Sequence, residues 1–280
     1  MVEAILFLIL PFTACVCVLA LLAYLGMHVL EREIIFIDIA LAQICAVGAT
    51  FAHVFMKVEE HSLLAYICAF MFTVIAAGFF SQIDKRITQI SHEGIIGVSY
   101  AIAAAAALFI LALAAGGDVH VEHMLTGRIL WAEWSDIFLI AAVYIPVGLF
   151  HWFFREKFKC LSEDYKPCRQ RDRKAVLWDF LFYVTMGLVI TVSVRIAGVL
   201  VIFSFLIIPA TFSAIFSQSW KTRIRISWVM GLAAITGGLA FSYVFDFSCG
   251  PSVVSVLGII LIGGALFSRI KVAFKSIPDK

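Results

Sequence analysis

The chain has 280 residues, of which 63% are hydrophobic and only 14% charged, with a mean hydropathy of +1.03. A soluble domain carries about 45–50% apolar and about 25% charged residues, and even large globules bury only part of their surface. The composition therefore excludes a soluble globule and requires a polytopic membrane protein, while a net charge of +2 is too small to point to nucleic acid.

A spanning helix needs about 20 mostly apolar residues. Nine stretches meet that criterion: 3–28, 34–56, 62–83, 94–117, 135–154, 176–196, 198–216, 226–245 and 252–270. The first reads as a retained span: Glu3 stands where a signal peptide has a basic start, and the apolar run is too long. The second carries Asp38. At 100° per residue Asp38, Ala42, Cys45, Ala49, Ala52 and His53 share one face. A charge in a span must pair or line a cavity, so this face is either a narrow polar path ending at His53 or a small-residue stripe for close helix packing.

Ser91 can cap the helix that begins near residue 94, with Glu93 at its positive end. The segment DVHVEH (118–123) offers His120, Glu122 and His123, and imidazole with carboxylate suits zinc, manganese or iron. It is equally compatible with a solvated loop. His28, His61, His92 and His151 lie near span ends, where an interfacial role is expected. The tryptophans at 131, 134, 152, 178, 220 and 228 fit interfacial belts.

The segment 155–174 is a strongly basic loop, and its Cys160 and Cys168 lack the spacing of a common zinc site. Cys15, Cys17, Cys45 and Cys68 lie in apolar segments as free thiols. The spans 176–196 and 198–216 are separated only by Ala197, so one of them could be partial or re-entrant. Pro209 is expected to end or kink the span that contains it. Near the carboxyl end, Gly250 is expected to make a tight turn and Pro251 to take a first helical position.

The basic segments 84–93, 155–174, 221–225 and the tail after Arg269 alternate with the neutral or acidic connections 57–61, 116–136 and 245–252. Basic loops stay cytoplasmic. All four basic segments fall on that side if the amino terminus is outside and the carboxyl terminus inside. The chain is read as one membrane domain over 1–280, all-α, with eight to nine transmembrane helices. It has no GxxxxGK[ST] nucleotide motif and no HExxH motif, so it is not expected to be an enzyme.

The stretches REIIFIDIALAQICAVGA (32–49), EGIIGVSYA (93–101), HMLTGRIL (123–130), SVRIAGVLVIFSFLIIPATFSAIF (193–216) and DFSCGPSVV (246–254) occur in one order over most of the chain. In that order they resemble the permease subunits of bacterial ABC importers for zinc, manganese and chelated iron. The resemblance implies a type II importer-like fold and a homodimer in the bacterial cytoplasmic (inner) membrane, with the translocation path between the copies. It implies an extracytoplasmic metal-binding protein and a cytoplasmic ATP-binding subunit. That subunit binds and hydrolyses the ATP, so this chain holds no cofactor and handles the metal ion only as cargo, with zinc expected.

It also implies that 211–225 forms the segment that docks the ATPase, with Ser217, Gln218, Ser219, Trp220, Lys221 and Arg223 meeting the partner's groove. Asp38, His53, His120, Glu122 and His123 are the candidate metal contacts. Here the sequence departs from the family. Where many members carry an Asp and a His in the second helix, Ile39 and Gln43 stand, with Asp38 one residue earlier, and Val47 replaces a Pro. The rival reading is an ion-coupled secondary metal transporter, which should show internal repeats and broken helices.

Overall fold

The computed structural model describes residues 2–59, 62–83, 91–112, 128–163, 167–168 and 174–275. Its long elements are helices: α1 (Val2–Glu31), α2 (Ile37–Met56), α3 (Leu63–Gln82), α4 (His92–Ala112), α5 (Trp134–Phe153), α6 (Arg155–Glu163), α7 (Ala175–Phe216), α8 (Trp220–Phe245) and α9 (Cys249–Lys275). A short 3-10 turn, Ile129–Trp131, precedes α5. Among the described residues, eight helices are long and apolar enough to cross a membrane; only α6 is not.

The helix α7 has 42 residues, about 63 Å of helical rise and twice what a bilayer core needs. It is broken at Gly198, where φ is 78° and ψ is 155°. That backbone region is open essentially only to glycine. The two legs turn back on each other, because both far ends join one polar cluster. Asp179 near the start pairs with Arg32, while Trp220 and Arg223 just beyond the end bond Glu163 and Glu31. The two expected spans are therefore both present, with the break at Gly198 instead of Ala197.

The helix α7 is the hub of the bundle, touching α1, α2, α3, α8 and α9. Its Phe182, Phe205 and Leu206 are fully buried with Leu19, Leu22 and Leu25 of α1. The two helices meet closely at Gly26, where a Cβ would lie 1.7 Å from the Leu206 carbonyl oxygen. Such small-residue contacts replace the hydrophobic effect as the packing force in lipid. Leu63, Ile75 and Phe109 point outward, as lipid-facing residues must.

Three local expectations change. Pro209 does not end its helix, which continues to Phe216. Proline removes the bond to the Phe205 carbonyl four residues back, which a packed membrane helix tolerates; separately, the Ser227 hydroxyl donates to the Pro209 carbonyl at 2.9 Å and ties α8 to this turn. The basic loop 155–174 contains α6, an amphipathic helix that buries Phe158 and Leu161 while its charges face out. Its Cys160 is disulfide-bonded to Cys168. The tight turn before α9 is made by Asp246 in the left-handed region, φ 55°, so Gly250 and Pro251 both lie inside the helix. At Ser91 the expected cap is present, with its hydroxyl accepting from the Gly94 amide at 3.0 Å.

Candidate coupling face and metal path

At the basic end of the bundle, four helices close on a buried polar cluster. Arg32, just past α1, donates through Nη1 to the Asp179 carboxylate at 2.8 Å and through Nε to Ser162 at 3.0 Å. Its guanidinium lies 4.0 Å from the Phe182 ring centre. Ser162 gives its hydroxyl proton to the Phe158 carbonyl, so its lone pairs accept from Arg32 and from His28 Nδ1, which lies 2.8 Å away. His151 Nε2 meets Thr185 at 2.9 Å, and its ring stacks on Phe158. Arg32 and Asp179 are both almost completely buried. Two charges removed from water are costly unless paired and hydrogen-bonded, and this guanidinium has both an ion pair and a hydroxyl.

The start of α8 locks onto the same cluster. Arg223 pairs with Glu31 of α1, and the Trp220 indole N–H donates to Glu163 of α6. Trp220 also packs on the His28 ring, 4.7 Å between centres. Ser217 caps α7 in an extended conformation, and its hydroxyl accepts from the Ser219 amide at 3.2 Å. Between α7 and α8 there is thus a three-residue turn, 217–219, and no separate helix.

The six residues expected to meet a partner divide in two. Gln218, Ser219 and Lys221 are exposed, and Ser217 is half-buried. Arg223 is turned inward, 5% exposed and engaged with Glu31, and Trp220 is held by Glu163 and His28. A push on the exposed turn therefore reaches α1 and α6 through fixed polar bonds, and α7 through Arg32 and Ser162.

The two described metal candidates, Asp38 and His53, do not converge. Asp38 is buried in the first turn of α2, and one of its carboxylate oxygens has no hydrogen-bond partner. His53 lies fifteen residues on, about 22 Å along the axis, and its Nδ1 meets the Val58 carbonyl at 3.0 Å. The two cannot share one ion. The face between them is packed: Ala42, Cys45 and Ala52 are buried, and a Cβ on neighbouring Gly48 would lie 2.8 Å from the Ala69 backbone. His120, Glu122 and His123 lie outside the described residues. Among the described residues no three His, Cys, Asp or Glu side chains group closely enough to hold a metal.

Sequence reasoning missed Glu31, Arg32, Glu163 and Asp179, and it placed His28 and His151 at the interface although both are buried. One signal was available: Asp179 is an acid inside an apolar span and so requires a partner. The partner, 147 residues away, is a matter of tertiary structure.

The profile of the ABC 3 transport family matches residues 4–268. The high-affinity zinc uptake system membrane protein ZnuB of Haemophilus influenzae is 24% identical over 235 residues, which cover 83% of this chain and 86% of that protein. The manganese import system permease protein ScaB of Streptococcus gordonii is 25% identical over 197 residues, 70% of each chain. In structure, a chain of PsaBC from Streptococcus pneumoniae, solved in complex with Fab, superposes with a TM-score of 0.78. It is 20% identical and covers 94% of this chain and 93% of its own, which shows the same fold.

Proposed function

The chain belongs to the ABC 3 transport family, and on that premise we propose that it is the membrane permease of an ATP-driven importer whose cargo is zinc. The observation that carries this reading is the exposed turn 217–219, bonded into α6 and α1 through Trp220 and Arg223. A cytoplasmic ATP-binding subunit docks on Gln218, Ser219 and Lys221. Its closure on ATP moves the turn, and the polar cluster passes the movement to the bundle, which switches access from one side to the other.

Two copies of the chain enclose the path, and an extracytoplasmic binding protein delivers the ion to the opposite face. His120, Glu122 and His123 form the entry, His53 the outer end of the path and Asp38 its inner end. The unpartnered Asp38 oxygen supports that role, because a transient cargo contact leaves a polar atom unpaired between passages. The 22 Å between Asp38 and His53 (about fifteen helical steps) makes them separate contacts, and the packed face between them opens only when the bundle switches access.

Among the relatives ZnuB is named for zinc and ScaB for manganese, at 24% and 25% identity, so uptake decides between the two ions. The test is uptake into vesicles holding this chain, the ATP-binding subunit and the binding protein. ATP-dependent uptake of zinc in preference to manganese is expected. Uptake driven by an ion gradient without ATP would replace this reading with a secondary transporter.

A further inference from the structure

A cavity of about 610 Å³ opens between α1, α5, α6 and α8 at the basic end of the bundle. Its floor is apolar, made by Ala20, Leu21, Gly148 and Trp228. Ala20 lies eleven residues before the end of α1, about 16 Å of helical rise. That depth is within the hydrocarbon half of a bilayer. On that floor the Trp228 indole donates to the Ala20 carbonyl at 3.1 Å, and Tyr24 and His28 line the wall between it and the mouth.

The mouth has the opposite character. It presents Arg155, Lys159 and Lys221 against one carboxylate, Glu156. Arg155 and Lys159 hold only loose, exposed pairs, at 3.3 Å to Glu156 and 3.7 Å to Glu163. Such pairs are weak and exchange readily for a better anion. Lys221 makes no ion pair among the described residues. The ligand that fits has an anionic head at the level of the interface and an apolar tail directed into the bilayer.

We propose that this cavity binds one anionic phospholipid of the cytoplasmic leaflet, its phosphate at Arg155, Lys159 and Lys221 and an acyl chain along Ala20, Gly148 and Trp228. Basic pockets between helices on the cytoplasmic side are suited to such headgroups. A cytoplasmic protein cannot reach the floor. A second copy of the chain is disfavoured by charge, because a two-fold contact sets each patch against itself and would oppose three cations to three cations. The site borders the docking turn, since Trp220 and Lys221 line the cavity and begin α8. A bound lipid braces α6 and α8 against α1 and α5, whatever ion the protein carries.

The test uses the purified full chain in detergent, titrated with phosphatidylglycerol or phosphatidylcholine whose acyl chains are brominated. Trp152, Trp220 and Trp228 line the cavity and report the tail by fluorescence quenching. Each basic residue contributes roughly fivefold to binding an anionic surface, so a net excess of two cations sets a preference of about 25-fold for phosphatidylglycerol. Arg155→Gln with Lys159→Gln is expected to abolish that preference.

Gly148→Leu is expected to reduce quenching by both lipids. A Cβ there meets only Leu21 Cδ1, at 3.9 Å, so the added side chain occupies the cavity and not the core. An unchanged preference in the double variant, or wild-type quenching in Gly148→Leu, overturns the proposal. Displacement of the brominated lipid by inorganic phosphate would reduce the site to a free-anion site and overturns it too. So does cross-linking between copies through Trp152→Cys in membranes, which would make the occupant a second chain.

Discussion

The two ends of the bundle are held in different ways. At the basic end the polar bonds join residues far apart in sequence: Arg32 to Asp179 across 147 residues, Arg223 to Glu31 across 192 and His28 to Ser162 across 134. Toward the other end Tyr144 meets Ser193 across 49 residues, and several side-chain hydrogen bonds are local. Arg128 bonds Asp136 eight residues on, His53 meets Val58 and Ser242 meets Phe247, each five residues on. Long-range contacts at that end include the Arg128 amide on the Ile196 carbonyl at 2.9 Å and the Arg195 guanidinium over the Tyr66 ring at 4.0 Å. The basic end thus carries the longest-range charged bonds, while the other end is joined by local caps, by the Arg128 amide donating to the Ile196 carbonyl and by the Tyr144–Ser193 hydrogen bond. In the proposed function a load applied at the basic end would spread through these bonds.

The comparison is broken most severely at its centre. Asp179→Ala leaves the Arg32 guanidinium charged, buried and without its ion pair, which is expected to cost about 3–5 kcal/mol. Thermal unfolding in detergent measures it. The double change Arg32→Met with Asp179→Leu should recover most of the loss, since apolar residues of similar volume replace buried pairs at little cost.

The next effect falls on the hairpin that brings both ends of α7 to the cluster. Gly198→Ala forces a side chain into φ 78°, ψ 155°, with an expected loss of about 1–3 kcal/mol. The same unfolding measurement should show a lowered midpoint. A wild-type midpoint would mean that the two legs do not depend on this backbone.

The control at the outer end should be mild. Asp136→Asn weakens a pair whose arginine is 40% exposed, and a loss of about 1 kcal/mol or less is expected. A loss as large as that of Asp179→Ala would erase the distinction between the two ends.

Much of this was legible in the sequence. The spans were, because a run of about 20 apolar residues has few other fates. The amphipathic α6 was hidden by its charges, although Phe158 and Leu161 stand three residues apart among them and mark a buried face. The coupling face was half legible. A basic segment after Pro209 drew attention to 217–225, but the sequence could not tell which charges face out. Lys221 is exposed and Arg223, two residues on, is buried. On a helix two residues apart means opposite faces, and which face turns inward is decided by Glu31, 192 residues away. The metal path was least legible, since a stripe of small residues serves packing and passage equally, and here Ala42, Cys45 and Ala52 are packed.

In the proposed function the exposed turn captures the ATP-binding subunit while the buried bonds transmit its movement. Capture and coupling should therefore separate in two variants, Ser219→Trp on the exposed turn and Arg223→Met in the buried pair. The deciding measurement is co-purification of the ATP-binding subunit together with metal taken up per ATP hydrolysed in reconstituted vesicles. Ser219→Trp is expected to lose the subunit. Arg223→Met is expected to retain it and to lower uptake per ATP about tenfold, within the usual range of coupling energies. Capture and coupled uptake that stay at wild-type levels in both variants would contradict the account.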